Sequence, residues 1–173
     1  LSISEKTNAS PFIVMQNPYS LMNRQLEQEH FSLAKHTGVG IMAYSPLGIG
    51  LLSGKYDPKS NPFKESVWNK PERSEYYSDL MKGRTAKLIE TISTIAKSHG
   101  ATSSQIALSW VLSHTEISVA ISGSDTEEQM KENIKATEIT LTENELNKLN
   151  NDSIGLNYVL DGDPEELWEQ PIY

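Results

Sequence analysis

The sequence has no cysteine. That absence excludes disulfides, thiolate nucleophiles and cysteine-ligated metals, and it favours a reducing, cytoplasmic setting. No apolar run approaches the roughly 20 residues that a membrane-spanning helix requires. The opening residues, Leu1-Ser2-Ile3-Ser4-Glu5-Lys6, carry neither a basic cluster nor an apolar stretch, so they do not read as a signal peptide. Positive charge is scarce: 15 Lys and Arg stand against 23 Asp and Glu, for a net charge of −8. A surface of that sign repels nucleic acid and anionic lipid. The histidines His30, His36, His99 and His114 lack metal or triad spacing. Each reads as a surface or helix-end residue, and no metal site is expected.

What is present fits a soluble globular domain. Of the 173 residues, 37% are hydrophobic and 22% charged, enough for one sizeable core. Ile13-Val14-Met15-Gln16, between Pro11 and Pro18, reads as a buried strand that ends at Gln16. Arg24 to Thr37 carries Leu26, Phe31, Leu33 and Ala34 at helical spacings and stops at Gly38. Val39 to Ala43 is a second strand, broken by Ser45-Pro46.

The stretch 55–83 is long and irregular, with three prolines and the aromatics Phe63, Trp68, Tyr76 and Tyr77. It reads either as a lid or binding loop, or as a surface insertion packed by its own aromatics. Arg84 to His99 has helical period through Leu88, Ile92, Ile95 and Ala96. Thr102-Ser103-Ser104-Gln105 has capping-box spacing and opens a helix to about Ser113. Ile117 to Ile121 is a third strand, and Thr126 and Thr142 each cap a further helix. The acidic residues 153–173 form a tail, with Trp168 and Tyr173 as packing anchors, behind a main unit of residues 1–152. Strand alternating with helix is the grammar of a parallel α/β sheet with right-handed crossovers. The chain opens on leucine and reaches its first strand almost at once, which reads as a piece of a longer protein or as a start site not represented in this sequence.

Three ordered segments resemble the aldo-keto reductase family. They are Met15-Gln16-Asn17-Pro18-Tyr19-Ser20-Leu21-Met22-Asn23-Arg24, the run from Gly40-Ile41-Met42-Ala43-Tyr44-Ser45-Pro46-Leu47-Gly48 to Gly54-Lys55-Tyr56, and Ile121-Ser122-Gly123-Ser124 through to Glu132-Asn133. Ser104 to Leu112 resembles the helix before that family's last strand. The resemblance implies part of a TIM (β/α)8 barrel, its strands six, seven and eight, with a cofactor, NADP or NAD, across the strands' C-terminal ends.

It also implies roles. Gln16 matches the glutamine that bonds the nicotinamide carboxamide, which suits an amide that both donates and accepts. Tyr44 matches the ring on which the nicotinamide stacks, a contact of roughly 1 kcal/mol; without the family, it reads as core filling. Ser45, Leu47 and Gly48 match the pyrophosphate loop, where glycine permits close approach. Gly123, Ser124, Gln129, Glu132 and Asn133 match the region that holds the adenosine end; without the family, Glu132 and Asn133 read as an exposed helix face. Trp68 and the tail are expected to wall a pocket for a small carbonyl substrate.

Two departures stand out. Relatives that prefer NADPH place a base in the loop after the last strand, whereas here Asp125, Glu127 and Glu128 are acidic. A 2′-phosphate meets like charge there unless Lys131 or Lys135 folds back, which predicts a weakened NADPH preference. The family's Asp-Tyr-Lys-His group comes from earlier strands, and Tyr19, Tyr44, Tyr56, Tyr76, Tyr77, Tyr158 and Tyr173 do not match its tyrosine. No catalytic residue is assigned.

The leading expectation is the cofactor-binding half of an NAD(P)H-dependent reductase of aldehydes or ketones. The alternative is a truncated, non-catalytic binding or scaffolding module, a role with precedent in the β subunits of potassium channels. A third is a small α/β domain of another kind. Three strands leave open edges, so self-association or pairing with a missing barrel half is expected.

Overall fold

A computed structural model describes residues 2–156 and 158 of the chain. Helix α1 (Ser2–Thr7) leads to strand β1 (Val14–Pro18), helix α2 (His30–Thr37) and strand β2 (Gly40–Tyr44). Helices α3 (Pro71–Leu80), α4 (Arg84–His99) and α5 (Ser103–Leu112) separate β2 from strand β3 (Ile117–Ile121). Helices α6 (Glu127–Ile134) and α7 (Glu143–Ser153) follow. The three strands form one parallel sheet in the order β1-β2-β3. The fold is therefore α/β, a parallel sheet with flanking helices.

The sheet has two unlike faces, because successive side chains on a strand point in opposite directions. Ile41 and Ala43 are fully buried, and Met15 and Ala120 pack against the same core. The other face carries Val14, Gln16, Met42, Tyr44, Val119 and Ile121, and Val14, Val119 and Ile121 keep 42%, 44% and 37% of their surface in solvent. Between Ile41 and Met42 the β2–β3 register shifts, passing from Ile117 to Val119 and leaving Ser118 as the extra residue. That bulge keeps Val119 and Ile121 on the open face.

Helix α5 is buried nearly all round, through Ile106, Ala107, Leu108, Trp110 and Val111, because β3 lies along it on one side and α4 on another. A helix in that position needs apolar residues beyond a single stripe. Thr102 and Gln105 close its capping box. Helix α4 buries Leu88, Ile92, Ile95 and Ala96 and packs on α7, whose own capping box joins Thr142 and Glu145. Across that contact, Thr91 donates its hydroxyl to Asp152 Oδ2 at 2.7 Å.

Several expectations need correction. β1 is not a buried strand: nothing among the described residues covers its second face. Nor does it end at Gln16. The residue before a proline favours extended backbone, so Asn17-Pro18 prolongs the strand, and the Tyr19 N–H carries the ladder on to Tyr44 O at 3.1 Å. The helix expected over 24–37 is a 3-10 turn at Gln25–Glu27 and a separate α2 that ends, as expected, at left-handed Gly38. The stretch 55–83 is not irregular throughout: it holds a 3-10 turn at Val67–Asn69 and then α3, with Pro71 at the first helical position, where its missing N–H costs nothing. Helix α1 was not foreseen. Trp168 and Tyr173 lie outside the described residues.

The loop after β2 meets α5 at Gly54, whose φ is +81°. A Cβ there would lie 2.9 Å from Ser103 Oγ and 3.1 Å from Ser103 Cβ. Gly100 also has positive φ, +61°, but opens on empty space. Gly54→Ala is expected to cost about 2 kcal/mol and Gly100→Ala about 1. Urea unfolding of the two variants checks this, and equal losses would show that the approach of Ser103 carries no energy.

Candidate functional site

The parallel ladders bring Pro18, Tyr44 and Ile121 level at the C-terminal end of the sheet. Gln16 pairs with Met42, so it stands on the open face one diagonal step from Tyr44. It is exposed, and its amide bonds to no other described residue. Tyr44 is half-buried. The loop that begins at Ser122 leaves β3 beside it. Gln16, Tyr44 and Gly123 thus come from adjacent strands at one end.

The loop from Ser45 to Gly54 has unusual backbone. Ser45, Gly48, Ile49 and Gly50 have φ of 51°, 56°, 51° and 83°. For a β-branched residue such as Ile49 that is an outlier, and such strain persists only where surrounding structure over-determines it. Inside the loop, the N–H groups of Gly48, Leu51, Leu52 and Ser53 bond to Ser45, Gly48, Leu47 and Gly50 carbonyls. Those of Leu47, Ile49 and Gly50 find no acceptor among the described residues. Backbone N–H groups gathered in a left-handed turn form a concavity suited to an anion. Ile49 and Gly50 were not singled out in the sequence, although a β-branched residue between two glycines is the mark such a turn leaves.

The loop after β3 is pinned by α6. Asn133 donates Nδ2 to Ser122 Oγ at 3.3 Å and to Ser124 Oγ at 3.2 Å. Gln129 Oε1 accepts the Asp125 N–H at 2.8 Å, while Thr126 caps the helix on the Gln129 N–H. Gly123, Ser124, Gln129 and Asn133 therefore form one group. Glu132 does not join them: its carboxylate accepts the Thr102 hydroxyl at 2.8 Å and its carbonyl accepts Gln105 Nε2 at 2.9 Å, so it faces α5. Asp125, Glu127 and Glu128 are exposed. Lys131 pairs with Glu127 at 2.6 Å, and Lys135 lies on the α5 side, along a cleft with His99 and Glu138.

Trp68 is 1% exposed, and its indole N–H donates to Ile49 O at 3.0 Å. Its ring fills the core beside the loop after β2, where a pocket wall had been expected.

A second polar group lies just past β1. Arg24 grips Glu27 through Nε at 2.7 Å and Nη2 at 2.8 Å, and Nη1 donates to Asn150 O and Ser153 Oγ at 2.9 and 3.0 Å. Tyr19 donates its phenol to Glu27 Oε1 at 2.7 Å, and His114 Nε2 stands 3.1 Å from the phenol oxygen. His114 is at a helix end as expected, but it is no surface residue: its ring packs against Tyr19, Phe31 and Trp110, because burying those rings draws it in. Burial would raise the Glu27 carboxyl, but the bonds from Arg24 and Tyr19 outweigh it and hold the group below its ordinary value. Burial pushes the His114 imidazole down, against the pull of the Trp110 carbonyl and Glu27. Burial and Glu27 together raise the Tyr19 phenol.

A sequence model of the aldo/keto reductase family matches residues 2–152. The chain belongs to that family. The protein named Probable aldo-keto reductase 1 of Glycine max is 34% identical over 139 residues, covering 80% of this chain and 39% of its own length. An oxidoreductase of Bacillus subtilis (strain 168), YrpG, is 35% identical over 147 residues, covering 85% and 42%. Among solved structures, the thermostable aldo-keto reductase Tm1743, in complex with the inhibitor epalrestat, superposes with a TM-score of 0.61 at 28% identity, covering 88% of this chain and 44% of that one. The chain spans about two fifths of the length of the curated relatives it matches.

Glu27 and His114 set a pH dependence. Both titrate lower in the fold than in the unfolded chain. Their stabilising effect is complete above the unfolded values and fades as protons bind, from about pH 6.5 for the imidazole and about pH 4.3 for the carboxyl. Stability should therefore fall as pH drops from about 7 to about 3. Glu27→Gln should cost about 2 kcal/mol at pH 7, and less at pH 3. Urea midpoints at both pH values decide it: a constant gap between variant and wild type would contradict the assignment to Glu27.

Proposed function

We propose that this chain is the cofactor-cradling C-terminal half, barrel strands six to eight, of an NAD(P)H-dependent reductase of aldehydes or ketones. The observation that carries the reading is the placement of Gln16, Tyr44 and the loops after β2 and β3 at the same ends of three adjacent parallel strands. A dinucleotide lying across those ends would reach all of them, as ligands of barrels generally do. When bound, it supplies a hydride to the carbonyl carbon.

The residues fit such a group. The exposed Gln16 amide offers a donor and an acceptor to a carboxamide. The Tyr44 ring offers a stacking surface. Ser45, Leu47 and Gly48, together with Ile49 and Gly50, offer backbone N–H groups to the pyrophosphate. Gly123, Ser124, Gln129 and Asn133 form a pre-set loop for the adenosine end. Glu132 serves by bracing α6 against α5. Proton transfer is assigned to the earlier barrel strands: Tyr19 has no exposed surface and is spent on Glu27, so it is no donor toward the open face.

The exposed Val14, Val119 and Ile121 of the sheet, with Met130 and Ile134 of α6 at 56% and 60% exposure, would be covered by the rest of the barrel. An apolar sheet face left bare promotes association. Sedimentation of residues 1–173 alone is expected to show self-association; a stable monomer would argue against an uncovered barrel interior.

Cofactor choice tests the site itself. Exposed Asp125, Glu127 and Glu128 oppose a 2′-phosphate, and Lys131 is engaged by Glu127. Calorimetric titration of the full-length protein is expected to give dissociation constants for NADPH and NADH within about tenfold of each other. A roughly hundredfold advantage for NADPH would overturn the charge argument, and failure to bind either would overturn the proposed function.

A further inference from the structure

The segment 56–77 stands against the loop after β2 at two points. The Trp68 indole N–H donates to the carbonyl of Ile49, the β-branched residue held at positive φ. The Tyr56 ring lies against Gly50, where an added Cβ would sit 3.6 Å from Tyr56 Cε2. Both aromatics are buried, Trp68 at 1% and Tyr56 at 8% exposure. They are also tied to each other: Ser66 Oγ accepts the Trp68 backbone N–H at 3.0 Å and lies 2.8 Å from the Tyr56 hydroxyl. Tyr77 packs on both rings, at centroid distances of 6.0 and 6.3 Å. Arg73 covers the Trp68 ring at 5.4 Å.

We propose that Trp68 is a positioning residue for the dinucleotide: through Ile49 O it holds the loop in the conformation that leaves the Leu47, Ile49 and Gly50 N–H groups open to an anion, with Tyr56 as its brace. The inference rests on the reading of this loop as the pyrophosphate site. Its logic is that of pre-organisation. Ile49 left to itself would relax to negative φ and turn its peptide away, and the concavity would have to be rebuilt at the expense of binding. A buried indole is suited to the task, because its single N–H has one direction and a packed ring cannot swing off it. The long aromatic segment is then neither a lid nor a simple insertion. It is the support under the loop.

The test uses the full-length protein with NADPH and NADH as probes, calorimetry for binding, and steady-state kinetics beside it. Trp68→Phe keeps a ring but removes the N–H, and is expected to weaken dinucleotide binding about tenfold. KM for the dinucleotide should rise to match while kcat stays within about twofold. Asparagine tolerates positive φ better than isoleucine. In an Ile49→Asn background the same Trp68→Phe change is therefore expected to weaken binding less than about threefold. An equal loss in both backgrounds would mean that Trp68 acts by filling volume, and the proposal fails. Unchanged affinity in Trp68→Phe would also end it. Should that variant not fold, Tyr56→Phe keeps every ring and decides the matter: weaker binding with the same unfolding midpoint supports the brace, and unchanged binding refutes it. A wild-type protein that binds neither nucleotide would overturn the proposed function instead, a result distinct from all of these.

Discussion

The structure depends on the parallel register of β1, β2 and β3. Pro18, Tyr44 and Ile121 are level because the ladder runs without slip from Val14 opposite Gly40 to Tyr44 opposite Ile121, apart from one bulge. Burial enforces it. Ile41 and Ala43 have no exposed surface, and a shift of one residue would send both to the open face and bring Met42 and Tyr44 into the helix layer. The choice between those registers is worth several kcal/mol of apolar burial. The placement of Gln16 and Tyr44 follows from it, since the register that buries Ile41 on the helix side is the one that sets Gln16 and Tyr44 on the opposite face.

The same constraint divides the molecule into a settled side and an unsettled one. On the helix side, α5 is wrapped by β3 and α4, and two of its polar side chains are bonded there: Ser109 to Gln105 O and Ala136 O, and Trp110 Nε1 to Asn150 Oδ1. On the other side a row of apolar residues faces solvent. A sheet with one bare apolar face keeps an energetic incentive to associate. The chain spans about two fifths of its relatives' length.

Local signals in the sequence were reliable where the structure is decided locally. The capping boxes at Thr102 and Thr142 start their helices where expected, and Ile117–Ile121 is a strand to the residue. Errors fell where distant residues decide. Arg24 to Glu27 looks helical, but Arg24 is drawn to Asn150, 126 residues away, and the backbone tightens into a 3-10 turn. His114 reads as a helix-end residue, yet its ring closes on Tyr19, 95 positions earlier. Helix α3 is hidden because Pro71, one of the three prolines of a stretch that reads as irregular, stands at a helix start, and because a mostly polar helix with a few aromatics has a weak period. In the site, the family pattern pointed to Gln16, Tyr44 and the two loops. It could not say that Glu132 would turn to Thr102, which depends on how α6 sits against α5.

Ile49 shows how the fold and the site exchange energy. A β-branched residue at positive φ costs on the order of 1–2 kcal/mol, and glycines on both sides would have let evolution avoid that cost with a third. What the isoleucine gains is packing, since its side chain rests against the core while its carbonyl meets the Trp68 indole. A glycine there would satisfy the backbone but would leave the loop free to move, with nothing to hold its N–H groups in one direction. Strain held by a buried hydrogen bond is therefore the more rigid solution. On the proposed reading of this loop as an anion site, rigidity matters more than relaxation, because donors held in a fixed arrangement need no reordering on binding.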